Sequence, residues 1–242
     1  MLRRVHVADL HAGTIELSPA AAHHARDVLR LKAGDRVEVF DDGGRTAAGR
    51  IVDVAAGLVE VDAVADPQRQ PLLWTVAAAV PKGARADWMI EKLSELGTAQ
   101  FVPLVTERSV VVPEGQAKLQ RWQRLATESA RQSRRAGVMK IGPLAKPAQL
   151  IESIDGPGWF LSTTAGAGPV LEAAAQVSAS RASHLTVLVG PEGGWTHDET
   201  ATMQAGGLTS VSLGPTILRV ETAAIAAAAI LGAMAGKLKV ES

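Results

Sequence analysis

Residues 188–231 have the sequence LVGPEGGWTHDETATMQAGGLTSVSLGPTILRVETAAIAAAAIL, in which two glycine-proline turns each follow a short β-prone run and precede a helical pattern. The first run, Leu185–Val189, is apolar and rich in β-branched residues, which is typical of a strand buried on both faces of a parallel sheet. Gly190–Pro191 ends this strand, because proline lacks the N–H group that a sheet ladder needs. Thr196 then predicts the N-cap of a helix, and Glu199 completes a capping box.

The second turn repeats this arrangement later in the same stretch. Leu208–Leu213 predicts a strand, Gly214–Pro215 ends it, and Thr222 is a candidate N-cap for the alanine-rich helix that follows. Parallel strands end at one edge of their sheet, and ligands of open α/β sheets bind at that edge. The two turns therefore predict a ligand site, although single turns of this kind are more often purely structural.

From Leu72 onward, β-prone runs alternate with helical patterns. Besides the two strands above, the predicted strands are 73–80, 100–105 and 159–162, and the predicted helices are 86–96, 113–135 and 170–177. Strands separated by helices of this length imply right-handed crossovers, which give a parallel sheet covered on both faces. The predicted fold class of this part of the chain is therefore α/β.

The N-terminal part has a different pattern. Its short β-prone runs are 36–40, 46–54 and 58–64. Runs this short and regular are typical of a small β-barrel. One helix over residues 18–30 interrupts them, because Ser18 is an N-cap candidate and Pro19 suits the first helical position. The polar, proline-bracketed segment Asp66–Pro71 predicts a linker. The expected domains are residues 1–70 and 71–242.

The composition narrows the class of protein. The chain of 242 residues has no cysteine, which excludes disulfides and thiolate metal sites. Its most apolar stretch, Ala223–Gly236, is shorter than the ~20 residues that span a bilayer. The sequence contains no dinucleotide-binding, P-loop or zinc-protease motif. We therefore expect a soluble, cytoplasmic protein without a membrane segment or a metal site.

The charge is unevenly distributed, although it sums to zero. Residues 71–146 carry 12 Lys and Arg against 6 Asp and Glu. Five arginines of this segment lie along one predicted helix and its end, and such a stripe is typical of phosphate contacts. They are Arg121, Arg124, Arg131, Arg134 and Arg135. A solvated helix face balanced by acidic neighbours is the alternative, but Glu128 is the only acidic residue nearby in the sequence.

The two turns also carry a resemblance to a known family. GPEGGW (Gly190–Trp195) and SLGPTILRVETAA (Ser212–Ala224) resemble the signature stretches of the RsmE family of bacterial 16S ribosomal RNA uridine-N3 methyltransferases, in the SPOUT class. Three upstream stretches match in the same order: PKGARADWMIEKLSELG (Pro81–Gly97), TERSV (Thr106–Val110) and RWQRLATESARQSRR (Arg121–Arg135). The resemblance covers essentially the whole chain. It departs from the family pattern at Arg134, where glycine is usual, and at Val220, where threonine is common.

The resemblance implies a SPOUT-type domain over residues 71–242, whose C-terminal segment forms a trefoil knot. It also implies a PUA-like, RNA-binding β-barrel over residues 1–70, and HHARDVLRLKAGDRVEVFDDGG (His23–Gly44) is similar to that barrel. Proteins of the SPOUT class are homodimers. The alanine-rich face of Ala223–Ala235 is a candidate interface, and an ordinary buried core helix is the alternative.

The activity that the resemblance implies is methyl transfer from S-adenosylmethionine to N3 of a specific uridine of 16S rRNA, near the decoding region. The partner is then 16S rRNA or the assembled small ribosomal subunit. The cofactor is expected to bind backbone groups of three loops at strand ends. Their residues are Leu161, Ser162, Thr163, Val189, Gly190, Pro191, Glu192, Gly193, Gly194, Leu213, Gly214, Ile217 and Leu218. Methylation of a ribose 2′-hydroxyl and a non-catalytic role in ribosome assembly stay open as alternatives.

Two charged residues after the second turn are the candidates for catalysis. N3 of uridine is a poor nucleophile while protonated, so the reaction needs a base, and a cation or amides for the flanking oxygens. Glu221 is the candidate base, and Arg219 is the candidate for oxyanion or phosphate contact. A helix cap for Glu221 and a structural salt bridge between the two are the alternatives. Glu192 is a second carboxylate in the site, while Lys82 and Arg85 are expected to contact phosphate or substrate.

Overall fold

The computed structural model describes residues 2–67, 72–113 and 115–240, with the backbone alone for 237–240. The chain divides into two compact units. The first comprises Met1–Arg69 and Thr127–Val138, and the second comprises Gln70–Ala126 and Met139–Ser242. Residues 127–138 thus group with the N-terminal unit, whereas the predicted domain boundary after residue 70 places them in the second domain. Most of the expected linker, residues 68–71, lies outside the described residues.

The N-terminal unit is built on a mixed sheet with five strands among the described residues. These are β1 (Arg3–His6), β2 (Gly13–Glu16), β3 (Arg36–Phe40), β4 (Thr46–Asp53) and β5 (Leu58–Val61). Their order is β1-β3-β4-β5-β2, with β1 parallel to β3 and the other pairs antiparallel. Strands β3, β4 and β5 confirm the predicted runs, whereas β1 and β2 were not predicted. Closure of this sheet into a barrel stays a prediction.

The helix of this unit is shorter than its sequence suggests. Helix α1 (Pro19–His23) begins as predicted, with the Ser18 side chain accepting a hydrogen bond from the N–H of Ala21 at 3.3 Å. The chain then widens into a π-helical turn over His24–Val28. A single helix to Arg30 is therefore wrong, and Arg30 itself has a left-handed backbone with φ of 53°.

Arg134, in the segment 127–138, occupies a position at which the family pattern has glycine, and its side chain forms contacts that glycine lacks. Its φ is 56°, a left-handed value that favours glycine, the residue usual at this position. Two contacts of the side chain offset the energetic cost of this backbone conformation. Nη2 lies 2.6 Å from the Glu38 carboxylate, and Nη1 donates to the carbonyl oxygen of Leu2 at 3.0 Å. Arg4 also pairs with Glu38, at 2.7 Å. Arg134 is therefore a structural residue of the N-terminal unit.

We expect Arg134→Ala to lower the free energy of unfolding by about 1 kcal/mol more than Arg134→Gly does. Both variants lose the ion pair with Glu38, but only glycine relieves the left-handed backbone. Urea denaturation of the two variants and the wild type measures this difference. Equal loss in both variants would contradict the strain at residue 134.

The second unit is an α/β domain around a parallel sheet with seven strands in the described part of the chain. The strands are β6 (Leu73–Ala79), β7 (Gln100–Leu104), β8 (Lys140–Ile141), β9 (Gly158–Leu161), β10 (Gly168–Pro169), β11 (His184–Val189) and β12 (Thr209–Ser212). The helices are α2 (Ala84–Glu95), α3 (Gln116–Ser133), α4 (Pro147–Ile151), α5 (Val170–Ser180), α6 (His197–Ala205) and α7 (Val220–Val240). Of α3, only the part up to Ala126 belongs to this unit. The strand order is β10-β12-β9-β11-β6-β7-β8, and every pair is parallel. The predicted α/β class is confirmed.

Three helix starts differ from the prediction. Helix α2 begins at Ala84 rather than at residue 86. Helix α3 begins at Gln116 rather than at residue 113, directly after Gly115, whose φ is 82°. Helix α7 begins at Val220, because the carbonyl oxygen of Arg219 already accepts the N–H of Ala223 at 2.8 Å. Thr222 therefore lies inside the helix and is not its N-cap.

The alanine-rich face of α7 belongs to the core of this unit. It packs against α2, α5, β6 and β11. Its buried alanines are Ala223, Ala224, Ala227, Ala228 and Ala235. The alternative of a core helix is thus confirmed for this face, and the homodimer stays a prediction. None of the helices in the described residues combines the length and apolar character that a membrane span needs.

The strand register brings three loop starts together. Strand β9 lies between β11 and β12, with Phe160 opposite Leu188 and Leu161 opposite Val211. Because the three strands are parallel and in register, their carboxyl ends lie along one edge of the sheet.

Candidate active site

The carboxyl ends of β9, β11 and β12 border a cleft of about 320 Å³. Every residue predicted to bind the cofactor lines it, from Leu161–Thr163, Val189–Gly194, Leu213–Gly214 and Ile217–Leu218. The wall also includes Thr164, Trp195, Thr200, Ser212, Thr216, Val220 and Ala223, which the sequence analysis did not assign to the cofactor site. Thr164, Trp195 and Ser212 adjoin the predicted loops and Thr216 lies within the third. Thr200 and Ala223 lie in helices α6 and α7, and nothing local in the sequence places them at the cleft. The volume suits a small organic molecule, for which sites of ~300–1,000 Å³ are usual.

Trp195 connects the loop after β11 to the loop after β9 through a hydrogen bond. Its indole Nε1 donates a hydrogen bond to the carbonyl oxygen of Leu161 at 2.8 Å. Its ring packs against Gly190, where a Cβ atom would lie 2.8 Å from the ring. The tryptophan is partly buried and lines the cleft, so it is a structural part of the site wall.

The second loop turns sharply at Gly194. Its φ is 69°, and its N–H donates to the carbonyl oxygen of Pro191 at 2.8 Å. Helix α6 follows, and its predicted capping box is confirmed. Thr196 accepts a hydrogen bond from the N–H of Glu199 at 3.2 Å, and the Glu199 carboxylate accepts one from the N–H of Thr196 at 2.9 Å.

Glu221 lies in the first turn of α7, and only 5% of its side chain is exposed. One carboxylate oxygen, Oε1, lies 3.3 Å from Nη1 of Arg85, in the first turn of α2. The other oxygen, Oε2, is buried and has no hydrogen-bond donor among the described residues. A buried acceptor without a donor is costly, because it has lost its contacts with water. Glu221 is not part of the cleft wall, but its neighbours in the chain, Val220 and Ala223, are.

Arg219 does not pair with Glu221. It is exposed, and its side chain has no ion pair with any part of the chain that the structure describes. The alternative of a salt bridge between these two residues is therefore wrong. Arg85 takes that place, because α2 packs against α7. Arg85 was expected to contact phosphate or substrate, and the structure gives its guanidinium a partner inside the protein, although 41% of its side chain stays exposed.

Two other predicted site residues, Glu192 and Lys82, form no ion pair within the described residues. Glu192 lines the cleft and is exposed, and Lys82 is exposed after the end of β6. The described His, Asp and Glu side chains form no group of three or more that would hold a metal ion.

The arginines of α3 are less available than the sequence suggests. In the second unit, Arg121 makes a two-pronged ion pair with Asp87, at 2.7 and 3.0 Å. The expectation that Glu128 is their only acidic neighbour is wrong, because Asp87 is brought in from α2. Arg124 is exposed.

In the N-terminal unit, the remaining arginines of this stripe are also engaged. Arg131 pairs with Glu128. Burial raises the pKa of Glu128, but hydrogen bonds and charge from Arg131 outweigh burial and bring its pKa below the ordinary value. Arg135 is partly buried, and burial lowers the pKa of its guanidinium to about 10. With Arg134 bound to Glu38, these side chains do not form a continuous solvent-facing stripe.

Comparisons with known proteins agree with this architecture. Residues 17–64 match the model of the RNA methyltransferase PUA domain, and residues 68–232 match that of the RNA methyltransferase domain. The chain is 37% identical to a ribosomal RNA small subunit methyltransferase E from Synechocystis, over 91% of this chain and 73% of the relative. It is 29% identical to that from Bacillus subtilis, over 88% and 87%.

A solved structure agrees in fold over nearly the whole chain. The ribosomal RNA small subunit methyltransferase E from Neisseria gonorrhoeae, bound to S-adenosyl methionine, superposes with a TM-score of 0.83. It is 25% identical and is matched over 97% of this chain and 98% of its own. Two family models match in the expected order, and a relative that is 37% identical is matched over 73% of its length, so the chain belongs to the ribosomal RNA small subunit methyltransferase E family.

Proposed function

We propose that this protein transfers a methyl group from S-adenosylmethionine to N3 of a uridine of 16S rRNA, near the decoding region of the small ribosomal subunit. The observation that carries this proposal is that the ends of β9, β11 and β12 border one common cleft. Family membership supports it, since named relatives are small subunit rRNA methyltransferases and one solved relative is bound to S-adenosyl methionine.

The loops of the cleft suit this cofactor. Backbone groups of the three loops would bind the adenine edge, and Leu161, Leu213 and Leu218 would pack against its faces, since all three line the wall. Ile217 also lines the wall but is 84% exposed, so the cofactor would cover an apolar side chain that otherwise faces water. The cofactor supplies a methyl group on a positively charged sulfur.

The chain supplies the base and a cation. The unpartnered Oε2 of Glu221 would take the N3 proton, while Oε1 stays paired with Arg85. Arg219, exposed and at the start of α7, would contact a uridine carbonyl oxygen or a neighbouring phosphate. Val220 lines the cleft without a hydroxyl group, so no proton relay runs through that side chain.

The remaining parts of the proposal concern RNA and assembly. Of the predicted RNA-binding residues of the second unit, Lys82 and Arg124 are exposed and have no ion pair among the described residues, so we assign phosphate contact to them. We assign RNA binding to a PUA-like barrel in the N-terminal domain, and cofactor binding to a SPOUT domain with a trefoil knot. A homodimer that works in the cytoplasm completes the proposal.

Mass spectrometry of nucleosides tests the target. Small subunits and free 16S rRNA that lack the modification are incubated with the protein and labelled S-adenosylmethionine, and then digested. We expect labelled N3-methyluridine. A label on the ribose would establish the 2′-hydroxyl alternative, and RNA binding without incorporated label would establish a non-catalytic assembly factor.

A further inference from the structure

The stretch TERSV, Thr106–Val110, follows strand β7 and contributes no residue to the wall of the cleft. It forms a tight turn. The N–H of Thr106 donates to Oγ of Ser109 at 2.9 Å, and the N–H of Ser109 donates to the carbonyl oxygen of Thr106 at 3.1 Å. These bonds present Arg108 from a well-defined backbone.

Arg108 reaches the cofactor loop from outside the cleft. Its Nη1 donates to the carbonyl oxygen of Gly193 at 2.7 Å and lies 3.4 Å from that of Trp195. Its aliphatic stem covers Gly193, where an added Cβ atom would lie 3.3 Å from both Cβ and Cδ of Arg108. Arg108 is exposed and is not part of the cleft wall.

The peptide between Gly193 and Gly194 is the least restrained part of this loop, because neither residue has a Cβ atom to limit rotation. The structure holds it at both ends. Its carbonyl oxygen accepts from Arg108, and its N–H donates to the carbonyl oxygen of Pro191 at 2.8 Å. Without Arg108, one of these two restraints is lost.

The same turn holds the element that follows the loop. The N–H of Glu107 donates to Oε1 of Glu199 at 3.0 Å, and Oε2 of Glu199 accepts from the N–H of Thr196 at 2.9 Å. The turn therefore fixes the orientation of the Gly193 peptide and the first turn of α6 together.

We propose that Arg108 is a positioning residue for cofactor binding, which orders the Gly193–Gly194 peptide before S-adenosylmethionine arrives. This inference rests on the proposed function. Because the loop is already ordered, binding of the cofactor costs less conformational entropy. Loss of a charged hydrogen-bond donor weakens such an arrangement, so Arg108→Ala raises the KM and Kd for S-adenosylmethionine on the order of ten-fold. At saturating cofactor the ligand itself orders the loop, and kcat changes less than three-fold, that is, by about 0.6 kcal/mol or less.

The experiment compares Arg108→Ala, Arg108→Lys and Arg181→Gly in the full-length protein. Calorimetry gives the Kd for S-adenosylmethionine, and steady-state assays on small subunits give KM and kcat. Lysine keeps one charged donor, so Arg108→Lys is expected to recover part of the affinity. Arg181→Gly removes an exposed arginine at the end of α5, and its left-handed φ of 53° suits glycine. It is expected to bind as the wild type does.

Amide hydrogen exchange gives a readout that general destabilisation does not imitate. In Arg108→Ala without cofactor, we expect faster exchange at Gly194 and its neighbours, with unchanged exchange in the strands. A Kd within two-fold of wild type, or a change in the KM for RNA alone, would overturn the role of Arg108. If Arg108→Ala does not fold, Arg108→Met, which keeps an apolar stem over Gly193 but has no donor, overturns the role if its affinity and exchange equal those of the wild type. Absence of cofactor binding by the wild type would instead sink the proposed function.

Discussion

Glu221→Gln is expected to lower kcat for methyl transfer by about 10²- to 10⁴-fold, the usual contribution of a positioned general base. Glutamine has nearly the same shape, and its carbonyl oxygen can still accept the hydrogen bond from Arg85. It has no carboxylate to take the N3 proton. Because 41% of the Arg85 side chain is exposed, water can solvate the guanidinium that has lost its counter-charge. The affinity for S-adenosylmethionine is therefore expected to change little.

Glu192→Gln is the matched control for Glu221→Gln. It removes a carboxylate that lines the cleft, from an exposed position on the second loop, and is expected to leave kcat within three-fold of wild type. Single-turnover assays at saturating cofactor, with thermal melting of each variant, separate chemistry from folding. If Glu221→Gln turns over within three-fold of wild type, its carboxylate serves only to join α2 and α7. A larger loss in Glu192→Gln would move the role of base to Glu192.

Gly194→Val is expected to weaken binding of S-adenosylmethionine by about ten- to a hundred-fold. The φ of 69° at this residue costs an ordinary side chain about 1–2 kcal/mol, and a β-branched side chain more. No atom lies within 4 Å of the position that a Cβ would take, so the cost comes from the backbone rather than from a clash inside the protein. The loop is expected to leave its observed conformation, and binding must then restore it.

Gly194→Asn separates backbone strain from loss of space. Asparagine tolerates left-handed backbone better than any β-branched residue. Isothermal titration is expected to give an affinity between those of the wild type and Gly194→Val. If asparagine and valine weaken binding equally, a side chain at this position obstructs the ligand directly. Unchanged affinity in both variants would contradict a role for this turn in the cofactor site.

The two loops that follow β11 and β12 were predictable because their signal is local. In each, a β-prone run and a glycine-proline turn lie within a few residues of one another, and the strand ends follow from the alternation of strands and helices. The N-cap after the first turn, Thr196, is also confirmed, whereas the one predicted after the second turn, Thr222, is wrong. The partner of Glu221 was not predictable, since Arg85 is 136 residues away in the sequence and is brought near by the packing of α2 on α7. The sequence offered Arg219, two residues before Glu221, as an ion-pair partner, and the structure shows that this pairing is wrong.

Two arginines, Arg121 in α3 and Arg134 directly after it, also have partners that are distant in the sequence. Periodicity correctly placed the arginines on a helix, but it carried no information about which acidic side chains other elements bring to it. Asp87 from α2 and Glu38 from β3 neutralise Arg121 and Arg134. The positive φ of Arg134 was likewise invisible, because the strain is offset by a tertiary ion pair.

The short strands at the edges of the parallel sheet bear on how the protein avoids aggregation. Within the described residues the sheet ends in β10, which consists of Gly168–Pro169, and in β8, which consists of Lys140–Ile141. A long edge strand offers unpaired N–H and C=O groups on which another chain can add. Pro169 has no N–H to offer, and Lys140 is exposed and charged. Parallel sheets form slowly, so these two short edges protect the protein from strand exchange with its neighbours while it folds.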